Sequence, residues 1–274
     1  MIFNYLIIRY LYKIFLFSVS KFLFLIDLLF RKIFKRYQFL SSINDYIESR
    51  QYYEKTIHNK KIIFFCPSLR SFSRVQSLYT KEPETLNWMD SFQPNNSENI
   101  VFWDIGANIS INNLESKISI FPLALSDKEN IISYFNETKF SEGGSISNFN
   151  SDIDYCGEIV KENQIKNKYN LFGTSIDNLI LNKIVKVPNY IKIDVDGIEH
   201  LILQGVENLL KNKHLKEFSI EMNPTYVKQY EFINNIMEEN NFKKIASLNQ
   251  SLLSDKNYKL KSNETVNEIF KRNN

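Results

Sequence analysis

An α/β domain, with helices layered on both faces of a mostly parallel sheet and a helical arm ahead of it, is the architecture the sequence predicts. Three observations predict it. The apolar runs Asn99–Asp104, Pro188–Asp194 and Leu215–Glu221 each close on a carboxylate. The first two lead into small-residue turns, Ile105-Gly106-Ala107-Asn108 and Val195-Asp196-Gly197, and a helical pattern follows the second. Strands covered on both faces read as such continuous apolar runs, joined by helical crossovers. The third observation is the first forty residues, apolar throughout but punctuated by basic side chains.

The 274 residues are 43% apolar and 24% charged, enough for a real core and against global disorder. A net charge of only +3 excludes nucleic-acid binding through bulk charge, and no nucleic-acid partner is expected. Cys66 and Cys156 form neither a disulfide framework nor a zinc spacing, which points to a reducing, cytoplasmic setting.

Residues 1–59 read as a basic amphipathic helical arm. Within residues 1–40, Lys21 and Asp27 would lie inside any spanning helix, each costing about 2.5–3.5 kcal/mol at the bilayer centre. At 100° per residue Arg9, Lys13, Arg31 and Lys35 share a face, interrupted by Phe17 and Phe24. Two readings follow: one or two helices in peripheral contact with the inner membrane surface, or an arm packed on its own domain or a partner subunit. Residues 41–60 are polar and read as helical. Lys61–Cys66 reads as a buried strand that opens a domain over 60–255, with Cys66 a small core residue. Residues 81–92 form a helix with Pro83 in its first turn. Ile198 to Leu210 read as one helix, and 256–274 as a polar tail.

Parallel strands would deliver Asp104, Asp194 and Glu221 to one sheet edge, where open α/β sheets bind ligands. Gly106 allows close backbone approach or an unusual φ. Lys192 shares a strand face with Asp194, and an internal ion pair is expected. Asp194 and Asp196 also suit the cap of the helix starting near Gly197, and Glu199 suits its first turn. His200 reads as an ordinary helix-surface residue, and His58 and His214 as solvated. Residues 141–147 form a Gly/Ser loop that either covers substrate or joins a hairpin. Asp104, Asp194, Asp196 and Glu221 could alternatively hold Mg²⁺ in a phosphoryl-transfer or hydrolytic site.

The runs FWDIGANIS, FPLALSDKE, SIDNLI and NYIKIDVDGIEHLILQGVENLL, with EPETLNWMDSF and SEGGSISNF, resemble the FkbM family of S-adenosylmethionine-dependent methyltransferases. The resemblance spans roughly residues 60–250. It implies a class I, Rossmann-type three-layer sandwich, S-adenosylmethionine as cofactor and no metal. The chemistry it implies is methyl transfer to a hydroxyl of a small molecule, such as a secondary metabolite, or of a glycan. On the matching positions, Asp104, Ile105, Gly106, Ala107, Asn108, Ser126, Asp127 and Asp194 would line the cofactor site. Asp194 and Glu221 would be the catalytic pair, Asp194 either positioning the donor or polarising the hydroxyl and Glu221 lining the substrate side.

One stretch departs from the family. Asn108 is followed by ISINNLES and at once by Lys117–Phe121, so the first helix, second strand and second helix of the family order are absent near 109–116. Ser110 also stands where the family carries a second glycine. A parallel crossover needs about a dozen residues, so the sheet is truncated and a strand over 117–125 is expected beside 99–104. Glu115 precedes its strand and lies at the wrong edge, while Asp127 corresponds to a position near the adenine. Losing the acid that holds the ribose costs about 1.5–3 kcal/mol. The sequence therefore predicts weak or absent cofactor binding, which micromolar affinity would refute. The alternative function is a catalytically impaired remnant acting as a binding or scaffold protein.

Overall fold

The computed structural model describes residues 2–34, 39–48, 51–57, 60–66, 69–81, 83–94, 99–106, 118–139, 146–247 and 264–273. The chain divides into two compact units, residues 1–67 and 68–274.

The first unit holds helices α1 (Ile2–Phe34) and α2 (Phe39–Glu48) and an antiparallel hairpin, β1 (Tyr52–Ile57) with β2 (Lys60–Phe65). Leu23, Ile26, Asp27 and Phe30 recur at helical spacing and form the shielded stripe of α1. Phe30 stacks on Phe39 with ring centroids 5.0 Å apart. The buried Asp27 carboxylate accepts from the Leu40 amide at 2.9 Å, in the first turn of α2, and from Arg31 Nε at 2.6 Å. A carboxylate at a helix N-terminus meets the positive end of its dipole, so Asp27 ties the two helices together. Two expectations are corrected here. The helical pattern of 41–60 stops at Glu48 and gives way to β1. The run 61–66 is one strand of a hairpin with Ile63 exposed, not a core strand of the larger domain.

The second unit carries α3 (Leu69–Gln76), α4 (Leu78–Lys81), α5 (Pro83–Asp90), β3 (Phe102–Ile105), β4 (Ala124–Leu125), β5 (Ile131–Lys139) and β6 (Ile146–Phe149). β7 (Asn167–Thr174), α6 (Ile176–Leu181), β8 (Tyr190–Ile193), α7 (Glu199–Gln204), α8 (Glu207–Leu210), β9 (Glu217–Met222), α9 (Val227–Glu239), β10 (Phe242–Ser247) and β11 (Val266–Arg272) follow. Its main sheet has the order β10-β11-β9-β8-β3. β3, β8 and β9 are parallel neighbours, and β11 runs antiparallel to both β9 and β10, so β10 runs with the parallel set. A second sheet has the order β4-β7-β5-β6.

Alternation along the strands separates two faces. Ile191, Ile193, Phe218, Ile220 and Phe270 point to one, where they pack with Ile202, Leu203, Leu210, Ile233 and Met237 of the helices. On the other, Trp88 and Phe92 cover Phe102, Tyr190 and Ile269. Phe92 stacks on Tyr190 at 3.8 Å, and Trp88 Nε1 donates to buried Glu217 at 2.8 Å.

The helix expected over 198–210 is broken at Gly205. A Cβ there would lie 2.5 Å from the Ser126 carbonyl oxygen. The chain restarts as α8, whose Asn208 and Leu209 amides donate to Asp177 at 2.7 and 3.0 Å. Ser175 caps α6 by accepting from the Asn178 amide at 3.1 Å. The SIDNL run thus fastens two helix starts.

Over its described residues, 118–125, the strand expected over 117–125 is reduced to a short bridge. Only Ala124–Leu125 pairs, and with β7 instead of β3. Pro122 cannot donate to a ladder, and the Leu123 amide turns back to the Phe121 carbonyl at 2.9 Å. Ile120 and Phe121 are exposed. The run read as a polar tail is also corrected: β11 is an interior strand with Val266 to Phe270 buried.

Candidate active site

The carboxyl ends of β3, β8 and β9 lie side by side. Register pairs Asp104 with Lys192, Lys192 with Ser219, and Glu221 with Asn267. Register partners project to the same face, so these residues and Asp194 share the face that Trp88 and Phe92 cover further down. That face is apolar where the strands begin and polar where they end.

Gly106 joins the strand ends. Its φ is +94°, and a Cβ on it would lie 1.8 Å from the Asp194 carbonyl oxygen. The missing side chain therefore serves close packing of the β3 turn on β8, with the Asp194 amide donating to the Ile105 carbonyl at 3.1 Å. Asp104 is exposed at this edge. Ala107, Asn108 and Glu115 lie outside the described residues, as does His58.

The expected ion pair is present: Lys192 Nζ donates to Asp194 Oδ2 at 2.5 Å, the lysine nearly buried. Glu221 is half-buried on the next strand, where Thr265 Oγ1 donates to it at 2.8 Å. Burial first, and then the negative charge of Asp194, push the Glu221 carboxyl up to about 8, while the Thr265 hydroxyl opposes the rise.

Asp196 and Glu199 organise the turn after β8. Asp196 sits at φ +60° and Gly197 at +117°, backbone that a short polar residue and a glycine tolerate. The Asp196 side chain does not cap α7; the N-cap residue is Ile198, with no side-chain cap. Instead it accepts from the Ser147 amide, while burial and then Asp194 raise its carboxyl to about 6. Ser147 belongs to the 141–147 segment, which joins the antiparallel strands β5 and β6 and whose residues 141–145 lie outside the described ones.

Glu199 folds back onto its own loop. Its Oε1 accepts from the Val195 and Gly197 amides at 3.1 and 3.2 Å, and its Oε2 from Gln229 Nε2 at 2.9 Å. Gln229 also donates to the Gly197 carbonyl at 2.7 Å. Complete burial raises Glu199 to about 7, and the amides of its own loop hold against that rise.

His200 is no surface residue. It packs edge-on to Tyr226 and Phe232 and lies 3.2 Å from Gln229 Nε2. Burial lowers its pKa, opposed by the charge of Asp127. That coupling brings Asp127 to α7. Ser126 is buried and donates its hydroxyl to Asp127 at 2.7 Å. His214 stays exposed.

Sequence reasoning missed the loop that closes over this turn. The backbone of Tyr155 lies 2.7 Å from where a Cβ on Gly197 would sit, and Asn223 Nδ2 donates to the Tyr155 carbonyl at 3.1 Å. Asp154 holds that loop by accepting from the Cys156 and Glu158 amides at 2.9 and 3.0 Å. The Asp-x-Cys-Gly-Glu spacing is the turn signal that could have found it. Among the described residues, no group of three or more His, Cys, Asp or Glu side chains is arranged to hold a metal ion.

An acid-lined edge of parallel strands, with a glycine turn on the first, is where an open α/β sheet binds a ligand. Residues 76–244 match the model described as the methyltransferase FkbM domain, well over half of the chain. The protein belongs to the FkbM methyltransferase family. No curated protein and no solved structure matches it.

Proposed function

We propose that the protein is an S-adenosylmethionine-dependent O-methyltransferase on a class I, Rossmann-type sheet, acting on a hydroxylated substrate such as a glycan or a secondary metabolite. The observation that carries this reading is the juxtaposition of Asp194 and Glu221 at adjacent parallel strand ends, beside Asp104 and the Gly106 turn. The direction of β3, β8, β9 and β10, with helices packed on the sheet, supports the fold reading.

S-adenosylmethionine, when bound, supplies a methyl group on a positively charged sulfur. The residues present fit such a cation: Asp104, Asp194 and Glu221 are acids on one edge, where Lys192 pairs with Asp194. Asp104, Ile105, Gly106 and Asp194 would hold it on the strand side, with Ser126 and Asp127 towards α7. Glu221, ionising near pH 8, accepts the proton of the substrate hydroxyl. Lys192 donates to the Asp194 carboxylate and fixes its orientation. Most of the acceleration comes from holding donor and hydroxyl in line. The free thiols Cys66 and Cys156 support a reducing, cytoplasmic setting.

One observation favours the second reading, an impaired remnant that binds or scaffolds. Among the described residues β3 is an edge strand, and no acid follows a strand on its outer side. Titration of the purified protein with S-adenosylhomocysteine separates the two. Saturable binding lost in Asp194→Asn supports the enzyme, and absence of binding supports the remnant.

A further inference from the structure

We propose that α1 docks in the plane of an anionic lipid surface through the side that faces away from α2. Fifteen large apolar side chains between Tyr10 and Phe34 are exposed. Soluble proteins rarely leave so large an apolar surface uncovered. From Tyr10 to Phe34 only the stripe of Leu23, Ile26, Asp27 and Phe30 is shielded.

Charge identifies the occupant. The first forty residues carry seven basic side chains and one acid, although the whole chain is only +3, so the remainder is net acidic. The one acid, Asp27, is buried and neutralised by Arg31 and the α2 amide, so the exposed part of α1 presents cations alone. At 100° per residue Lys13, Lys21 and Lys32 fall within a sector of about 100° that runs from beside the shielded stripe to its opposite side. Tyr10, Ile14, Phe17 and Leu28 interleave with them in that sector, and the Lys21 ammonium sits 4.6 Å over the Phe17 ring.

No helix among the described residues is long and apolar enough to cross a membrane. An apolar surface interleaved with lysines instead suits the headgroup boundary, where lysine stems lie along acyl chains and ammonium groups reach phosphates. A second copy is a poorer occupant. A helix pair wants an apolar seam with charges outside it, and pairing this face would bring Lys21 and Lys32 against their own copies.

The test is co-sedimentation of the full chain with vesicles of phosphatidylcholine alone or mixed with phosphatidylglycerol. The expected result is binding to the mixed vesicles only, weakened by salt. Neutralising a basic residue near an anionic surface weakens binding on the order of fivefold. Lys13→Gln/Lys21→Gln/Lys32→Gln therefore binds about 100-fold more weakly while keeping the wild-type circular dichroism spectrum. Equal binding to neutral vesicles, or wild-type binding by the triple variant, overturns the proposal. So does concentration-dependent self-association in ultracentrifugation that anionic vesicles leave intact.

Discussion

Replacing Glu221 by Gln removes a carboxyl that folding makes harder to ionise. Its ordinary value is 4.5, and burial beside Asp194 raises it to about 8. A folded state that holds its proton more tightly than the unfolded chain loses stability as pH rises through that window. The favourable state is complete below pH 4.5 and gone above about 8. A tenfold change in proton affinity is about 1.4 kcal/mol, so the loss is on the order of 5 kcal/mol. Glu221→Gln keeps the shape and lacks the titration. Urea unfolding at pH 5 should find the two proteins alike, apart from the altered Thr265 contact. At pH 9 the variant should be the more stable. Methyl transfer moves the other way: in the wild type it rises towards pH 8, and the variant loses on the order of 10²-fold or more. A stability difference that does not change with pH would refute the reasoning.

Gly106→Ala forces a side chain into the +94° backbone and onto the Asp194 carbonyl. The conformation costs about 1–2 kcal/mol and the displacement about 1–3. The melting temperature should fall by about 5–15 °C in a domain of this size, whereas an unchanged melt would place the strand ends further apart. Gln229→Leu leaves the Gly197 carbonyl and Glu199 Oε2 without that donor, at a cost of about 1–3 kcal/mol. The loss should be larger at pH 8.5 than at pH 5.5, because only ionised Glu199 needs the donor fully; equal losses in denaturant titrations at both pH values would contradict this. Deleting residues 264–274 removes the strand between β9 and β10. The truncated chain should show no cooperative unfolding, and a wild-type melt would show that β11 is dispensable.

β3, β8 and β9 were legible because each belongs to an apolar run that stops at an acid, and that rule also located Asp104, Asp194 and Glu221. Elements defined by partners were not legible. Residues 118–121 alternate like a strand, yet a strand exists only where a neighbour accepts its ladder, and Pro122 turns the chain away. β11 reads as a tail because Asn267 and Glu268 are polar. Glu268 is nonetheless buried, accepting from the Tyr230 hydroxyl at 3.0 Å beside Lys244 at 3.3 Å. Glu199 was read through its own helix dipole, but its carboxylate folds back to Val195 and Gly197 and meets Gln229, thirty residues away. Such long-range pairings leave no periodic trace. They explain why the specific runs of the family, SIDNL and DGIE, carry so much fastening and so little visible chemistry.

The central claim is that the acidic edge at β3, β8 and β9 holds the methyl donor, with no acid among the described residues placed for its ribose. Calorimetric titration of S-adenosylmethionine into the purified protein, at several pH values and in buffers of different ionisation enthalpy, tests it most directly. The account predicts saturable binding weaker than micromolar that tightens as pH rises from 6 to 8, the range of Asp196 and Glu221, with protons released on binding. Binding that ignores pH and releases no proton, or no saturable heat at any pH, contradicts it.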